Sequence, residues 1–240
     1  MKCNPDIRAA GARARIPPAI EELEKLFPSL VAFPPPSRAR RDGLLAVGGD
    51  LLPGTLIRAY ARGIFPWSVD PITWWSPDPR AIFEIDTFEL PKRMQRYARS
   101  GIFEITFDRS FREVIEACAE PAPGREDTWI SQEFVTAYTR LHGLGLAHSV
   151  EARMEGRLVG GAYGVALGGF FAGESMFHRA SNASTIALGA LMHRLRERGF
   201  VLFDTQVLTH HTLLLGAREI PRQDYLTRLH GALGRSCEFS

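Results

Sequence analysis

Phe-Phe-Ala-Gly-Glu-Ser-Met-Phe (170–177) and, further along, Phe-Asp-Thr-Gln (203–206) decide how this chain is read. Each segment has the apolar, aromatic character of a β-strand and ends in side chains able to hydrogen-bond. Between them residues 184–198 carry a helical pattern. Two strands joined by a helix are therefore expected to bring Glu174, Asp204 and Gln206 to one cleft. A buried strand end is a costly place for a carboxylate unless its charge is paired or used.

Just before this pair, residues 158–173 form the longest uncharged stretch. It is too short and too glycine-rich for a membrane-spanning helix, and it reads as a hairpin turning near Leu167-Gly168. Strands are predicted near 81–85, 103–107, 148–154, 157–165, 169–175 and 201–205. Helices are predicted near 91–99, 110–119, 131–144, 184–198 and 210–215. Strands mixed with helices around a central hairpin predict an α+β domain built on a largely antiparallel sheet.

Upstream the pattern differs. Residues 1–32 are basic and Pro-containing, with one amphipathic helix around 19–26. The prolines after Phe33 force an extended path. A turn is expected over 43–50 and a helix near 53–62, with Pro53 close to its first turn. Pro66, Pro71, Pro77 and Pro79 make 63–80 an ordered aromatic loop region.

Composition narrows the function classes. The chain has 240 residues, 45% hydrophobic and 23% charged, with a net charge of +2. Any nucleic-acid reading must therefore rest on local basic patches. Cys3, Cys118 and Cys237 form no C-x-x-C pair, which argues for a reducing compartment and against a disulfide scaffold or zinc site. Lys2, Arg8, Arg13 and Arg15 are followed by no apolar run, so no export signal is read and a cytoplasmic location is expected. Nothing demands more than a monomer.

Asp204 and Gln206 are two apart on a strand and leave the same face. Asp204 suits a functional carboxylate or a cap on the following turn. Glu174 suits a functional role or a buried ion pair with Arg179 or Arg218. Leu188, Leu191 and Leu195 mark one helical stripe that meets Phe203 if the helix packs on that side; core packing alone also explains them. Trp67 and Trp129 stand beside loops where rings can stack on bases, whereas Trp74 and Trp75 read as locking the Pro-rich segment to the sheet. Lys92, Arg96 and Arg99, with Arg93 beside them, make a basic stripe suited to phosphates or to plain solvation. Residues 37–41 are a weaker patch of that kind. The chain has no Walker loop, dinucleotide fingerprint, H-E-x-x-H or nucleophile elbow, which disfavours metal and covalent catalysis.

In order along the chain, Gly43-Leu-Leu-Ala-Val-Gly-Gly-Asp-Leu, Arg62-Gly-Ile-Phe-Pro-Trp, Trp74-Trp-Ser-Pro-Asp-Pro-Arg, Thr128-Trp-Ile, Leu158-Val-Gly-Gly-Ala-Tyr-Gly-Val, Phe171-Ala-Gly-Glu-Ser-Met-Phe, Asp204-Thr-Gln-Val and Leu215-Gly-Ala-Arg-Glu-Ile-Pro-Arg resemble the bacterial leucyl/phenylalanyl-tRNA–protein transferases. The resemblance covers 33–229. It implies an N-terminal extension (1–32), a small N-terminal domain (33–84) and a catalytic domain of the acetyltransferase-like (GNAT) fold (85–240). It implies transfer of Leu, Phe or sometimes Met from aminoacyl-tRNA to proteins beginning with Arg or Lys, a tag for N-end rule degradation, without cofactor or metal. It puts Glu174, Asp204 and Gln206 at the reaction centre and Trp67 and Trp129 on the terminal adenosine. Phe171, Met176, Leu188, Leu191, Leu195 and Phe203 take positions that line the aminoacyl pocket, and Lys92, Arg93, Arg96 and Arg99 face the tRNA acceptor stem.

Two departures stand out. Thr209-His210 replaces the Asn then Asp or Pro usual after the Asp-x-Gln strand, which puts a polar contact supporting Asp204 and Gln206 in question. Arg41-Asp42 replaces a Pro-Asn turn. In the mechanism expected from these residues, Asp204 draws a proton from the attacking amine, Gln206 holds that amine, and Glu174 attracts the acceptor's basic end. The rival readings are a coenzyme-A-dependent N-acyltransferase, disfavoured by the absence of glycine in 178–184, and a non-catalytic RNA-binding module, which leaves the three polar residues without a purpose.

Overall fold

A computed structural model describes residues 18–121 and 128–240. The expectations on Cys3 and on the basic residues of 1–17 lie outside them. Alternation in the central hairpin sets the architecture. Ala147–Met154 (β6), Arg157–Leu167 (β7) and Phe170–His178 (β8) form an antiparallel ladder. On β7, Tyr163, Val165 and Leu167 enter one apolar cluster and Ala162 and Ala166 the other, as a period of two requires. Both sheet faces are therefore covered. Phe111–Ala119 (α4), Gln132–Gly143 (α5) and Arg222–Leu233 (α8) contribute to the first cluster, and Ala183–Glu197 (α6) to the second.

The full sheet has seven strands in the order β10-β4-β9-β8-β7-β6-β5, adding Arg80–Phe83 (β4), Glu104–Phe107 (β5), Leu202–Gln206 (β9) and Arg218–Ile220 (β10). Only β8 and β9 run parallel; every other neighbouring pair is antiparallel. The expected α+β class is thus the one observed. A second sheet, β1-β3-β2, comprises Leu44–Val47 (β1), Phe65–Val69 (β2) and Ile72–Trp75 (β3), with Pro18–Leu26 (α1) and Pro53–Tyr60 (α2) nearby in the chain. The division expected between residues 84 and 85 falls just after β4, a strand of the larger sheet.

The region expected as aromatic loop holds a β-hairpin, and the turn expected over 43–50 contains β1. Proline is tolerated because β2 is an edge strand: Pro66 has a ladder partner on one side only, so its missing N–H can face away from β3. Trp74 is fully buried and donates its indole N–H to the Gly48 carbonyl at 2.8 Å, which fastens β3 over the 48–49 turn. β10 and α8 lie outside the predicted elements. Tyr225, Leu229 and Ala232 on α8 follow helical spacing and are buried.

Helix α6 is long because its Ala- and Leu-rich sequence favours helix and its stripe of Leu188, Leu191 and Leu195 finds the Phe203 side of the sheet. It stops at Gly199, whose φ of +78° places it in the left-handed region. The Gly199 N–H reaches the Arg196 carbonyl and the Phe200 N–H reaches that of Leu195, satisfying the last turn and folding Phe200 back into the core.

The geometry that makes a site lies between β8 and β9. These strands pair only over Phe170↔Leu202, Phe171↔Phe203 and Ala172↔Asp204. Beyond that point β8 follows β7 to His178 and β9 follows β4 to Gln206, so a wedge opens between them. Each strand carries a β-bulge where they part. Gly164 pairs with Gly173 and Tyr163 with Ser175, leaving Glu174 as the extra residue on β8. Ile82 pairs with Asp204 and Ala81 with Gln206, leaving Thr205 as the extra residue on β9. Such bulges re-aim side chains. Phe170 and Ala172 face the first cluster and Phe171 the second; past the bulge Met176 faces the second and Phe177 the first.

Candidate active site

A cavity of about 500 Å³ occupies this wedge. Met176, Leu188, Leu191 and Phe203 line its apolar side, Glu174 and Gln206 contribute polar groups, and Trp67 and Trp129 also border it. Gly173 makes room for the apolar wall, since a Cβ there would stand 2.8 Å from the Phe203 ring. Of the side chains singled out in the sequence, these eight are brought together. Phe171 and Leu195 are fully buried behind the wall: Phe171 packs its ring 5.5 Å from Phe203, and Leu195 sits one turn beyond Leu191. Lys92, Arg93 and Arg96 are exposed on Lys92–Ala98 (α3), and Arg99 is exposed at its end; none borders the cavity.

Asp204 lies elsewhere than expected. It is fully buried and does not border the cavity. Arg80 Nε and Nη2 hold its two oxygens at 2.9 and 2.6 Å, and the Tyr225 hydroxyl donates to Oδ2 at 2.8 Å. The Arg80 guanidinium is itself clamped between the rings of Phe65 and Tyr225, at 4.7 and 4.5 Å, and donates to the Gly63 carbonyl. Burial pushes the Arg80 pKa down, but Asp204 beside it more than compensates, so the guanidinium stays charged. The remaining donor to Asp204 is the backbone N–H of Gln206, at 2.8 Å from Oδ1. That bond holds Gln206 at φ +61°, a conformation costing a residue with a side chain about 1–3 kcal/mol. With four donors on its oxygens and no place in the cavity lining, the Asp204 carboxylate supports the Gln206 backbone and does not meet the cavity where a substrate amine would sit.

Glu174 makes neither of the ion pairs considered for it. Arg179 bonds Glu120 at 2.7 Å, and Arg218 bonds Glu84. Neutral donors hold Glu174 instead: Gln206 Nε2 at 2.8 Å to Oε1, and the Tyr138 hydroxyl at 3.1 Å to Oε2. Tyr138 lies 2.5 Å from the Tyr60 hydroxyl, and burial keeps both phenols well above their usual pKa, hence protonated. Burial pushes the Glu174 carboxyl up to about 7, although its hydrogen bonds partly oppose the rise. One Nε2 N–H of Gln206 goes to Glu174, and its carboxamide oxygen can accept a hydrogen bond from a donor in the cavity.

The shift has a stability signature. The folded protein retains a proton on Glu174 that the unfolded chain gives up near pH 4.5. Its contribution is fully present below pH 4.5 and is lost as pH rises through about 7. The total is about 3 kcal/mol. Unfolding by urea at a series of pH values should show this decline in wild-type protein and a much flatter profile in Glu174→Gln. Equal slopes in the two proteins would show that Glu174 titrates normally.

Sequence reasoning did not single out Arg80, Tyr225, Tyr60 or Tyr138 as site residues. Arg80 carried one usable signal, an ionised side chain directly against the apolar run Ala81-Ile82-Phe83. Tyr138 lies on the buried stripe of α5 with Phe134 and Leu141 and resembles ordinary core. The departure at Thr209 resolves locally. Thr209 caps His210–Leu214 (α7) by accepting from the Thr212 N–H at 3.1 Å, and Thr212 returns the bond to the Thr209 backbone. Gln206 takes its support from Asp204 and Glu174.

Comparison with known proteins agrees along most of the chain. The family model described as leucyl/phenylalanyl-tRNA protein transferase matches residues 82–230, and that of the family's N-terminal domain matches 49–78. The leucyl/phenylalanyl-tRNA–protein transferase of Nitratidesulfovibrio vulgaris (strain DP4) is 53% identical over 203 residues, covering 83% of this chain and 87% of that protein. The protein of the same name from Syntrophotalea carbinolica is 51% identical over 213 residues, covering 88% and 92%. Among solved structures, L-PGS from Bacillus licheniformis aligns with a TM-score of 0.41 at 17% identity, over 62% of this chain and 50% of that one. A GCN5-related N-acetyltransferase from Kribbella flavida aligns at 0.39 and 12% identity, over 70% and 60%. By its sequence over both family segments, the chain belongs to the leucyl/phenylalanyl-tRNA–protein transferases.

Proposed function

We propose that this protein moves leucine or phenylalanine, and sometimes methionine, from aminoacyl-tRNA to the N-terminal amine of proteins that begin with Arg or Lys. The observation that carries this reading is the Gln206 carboxamide, tethered to Glu174, beside a slot walled by Met176, Leu188, Leu191 and Phe203. An unbranched or γ-branched apolar side chain fits such a slot. β-Branched residues are excluded by shape, with about 1–3 kcal/mol for each methylene of misfit. The terminal adenosine stacks against Trp67 and Trp129, and the basic face of α3 receives the acceptor stem.

The reaction is ester aminolysis. The amine nitrogen bonds to the aminoacyl carbonyl carbon, the bond from that carbon to the ribose oxygen breaks, and the amine's proton is lost as the ribose oxygen gains one. An N-terminal ammonium has a pKa of about 7.7–8.0 and must lose a proton before it can attack. The Gln206 oxygen holds the amine, and Glu174, poised near pH 7, takes that first proton. Asp204 acts through Gln206 and touches no substrate. The ester already stores the energy required, so no cofactor is invoked. The protein works as a cytoplasmic monomer whose products enter N-end rule degradation.

Incubation with labelled Leu-tRNA and an Arg-initiated peptide should yield labelled peptide, whereas leucyl-CoA should not replace the charged tRNA. Transfer from the thioester alone would overturn the reading. Trp129→Ala should raise KM for the donor by the loss of about 1–3 kcal/mol of stacking while leaving KM for the peptide unchanged. A shift in the peptide KM alone would move Trp129 to the acceptor side.

A further inference from the structure

A second groove, of about 730 Å³, adjoins the cavity and shares Met176 and His211 with its wall. Its chemistry is different. His178 and Arg179 reach it from the end of β8, His211 from α7, and Ser181 and Ser184 from the start of α6. The acid in its wall, Glu120, is paired with Arg179. Burial, with His178 and His210 nearby, holds the His211 imidazole below its ordinary pKa, so it enters the groove wall as a neutral hydrogen-bonding group.

The start of α6 has been left open. Asn182, at the N-cap with φ +69°, makes no side-chain capping bond. The Ala183 N–H reaches the Ala180 carbonyl at 3.1 Å, and the next amides of this 15-residue helix have no side-chain cap, so this end carries its partial positive charge. Ser184 supplies an independent observation. It is only 4% exposed, it lines the groove, and its hydroxyl has no hydrogen-bond partner among the described residues. Gly160 of β7 fixes the turn in place, since a Cβ there would stand 3.0 Å from the Ser184 nitrogen.

We propose that this groove is a phosphodiester subsite, which takes the phosphate linking the donor's terminal adenosine to the preceding nucleotide. The inference rests on the donor being aminoacyl-tRNA. The Ser184 hydroxyl and the open α6 amides donate to the phosphate oxygens, and Arg179 and His178 supply positive charge. The acid in the wall, Glu120, is already engaged by Arg179, so the groove offers an acceptor beginning with Arg or Lys no carboxylate of its own, and the nucleic-acid strand is the better-matched occupant. The contiguity of groove and cavity lets one donor fill both.

Two non-reactive probes separate the subsite from the cavity: 3′-leucylamino-3′-deoxyadenosine, and the same nucleoside preceded by cytidine through a 3′,5′-phosphodiester. Calorimetry on the full chain should show the dinucleotide binding about tenfold more tightly or better. In Arg179→Ala combined with Ser184→Ala, that advantage should fall to about twofold or less. Arg179 is exposed and the Ser184 change removes a single oxygen; an unchanged melting temperature verifies the fold. Absence of any dinucleotide advantage in wild-type protein overturns the subsite, as does an equal loss for both probes or a change confined to the peptide KM. Tighter binding of coenzyme A than of the dinucleotide also overturns it. Binding of neither probe, with no transfer from Leu-tRNA, removes the donor reading itself and is distinct from these results.

Discussion

Asp204→Ala is expected to lower the unfolding free energy by about 3–5 kcal/mol and to remove transfer activity from whatever remains folded. The size follows from burial. Arg80 and Asp204 are 1% and 0% exposed, and the change strands an ionised guanidinium between two aromatic rings with no carboxylate to balance it. Replacing both partners separates the two effects. Arg80→Met with Asp204→Leu leaves no orphaned charge, so stability should recover most of the loss. Activity should not recover, because the Gln206 N–H still lacks the acceptor that holds its left-handed backbone. Thermal melts and transfer assays on the three proteins check this. Recovery of activity along with stability would show that Asp204 serves the fold alone.

Gln206→Ala should cost about 10²–10³-fold in kcat/KM for the acceptor peptide with little change in stability. Gln206 is partly exposed, and among the described residues its side chain makes one bond, to Glu174. Its removal deletes the oxygen that orients the amine and releases Glu174 from one of its donors. Binding of the donor probes should persist, since the stacking rings and the apolar slot are untouched. Gln206→Glu gives the complementary result. A second carboxylate beside Glu174 forces one of the two to keep its proton and moves the pH profile upward. An unshifted profile with normal turnover would remove Gln206 from contact with the amine.

Much of this was legible in the sequence because period and composition agree. The β6–β8 ladder, α4 to α6 and the pairing of the Glu174 segment with the Asp204 segment all follow from alternation and helical stripes. Tight turns and edge strands were not legible. Pro66 argues against a strand wherever both sides must hydrogen-bond, and only the order β1-β3-β2 makes it harmless. The site divides in the same way. Glu174, Gln206, Leu188, Leu191 and Phe203 were named from their segments and Met176 from the family resemblance, and all six meet at the cavity. Asp204 was named as well, but its setting depends on Arg80, which is 124 residues away in the chain. No local pattern reports a contact of that kind. Phe171 and Leu195 share the spacing of residues that reach the cavity, and only packing depth distinguishes them.

The paired bulges make chain length, as much as residue type, a determinant of activity. Deleting Ser175 would straighten β8 and draw Glu174 out of the bulge into the ladder opposite Tyr163, re-aiming its carboxylate away from Gln206, while Met176 and Phe177 keep their partners. A one-residue deletion would then be far more damaging than almost any single replacement at the same place. Natural variation within this segment should run through exchanges at constant length, with insertions and deletions confined to the surface turns.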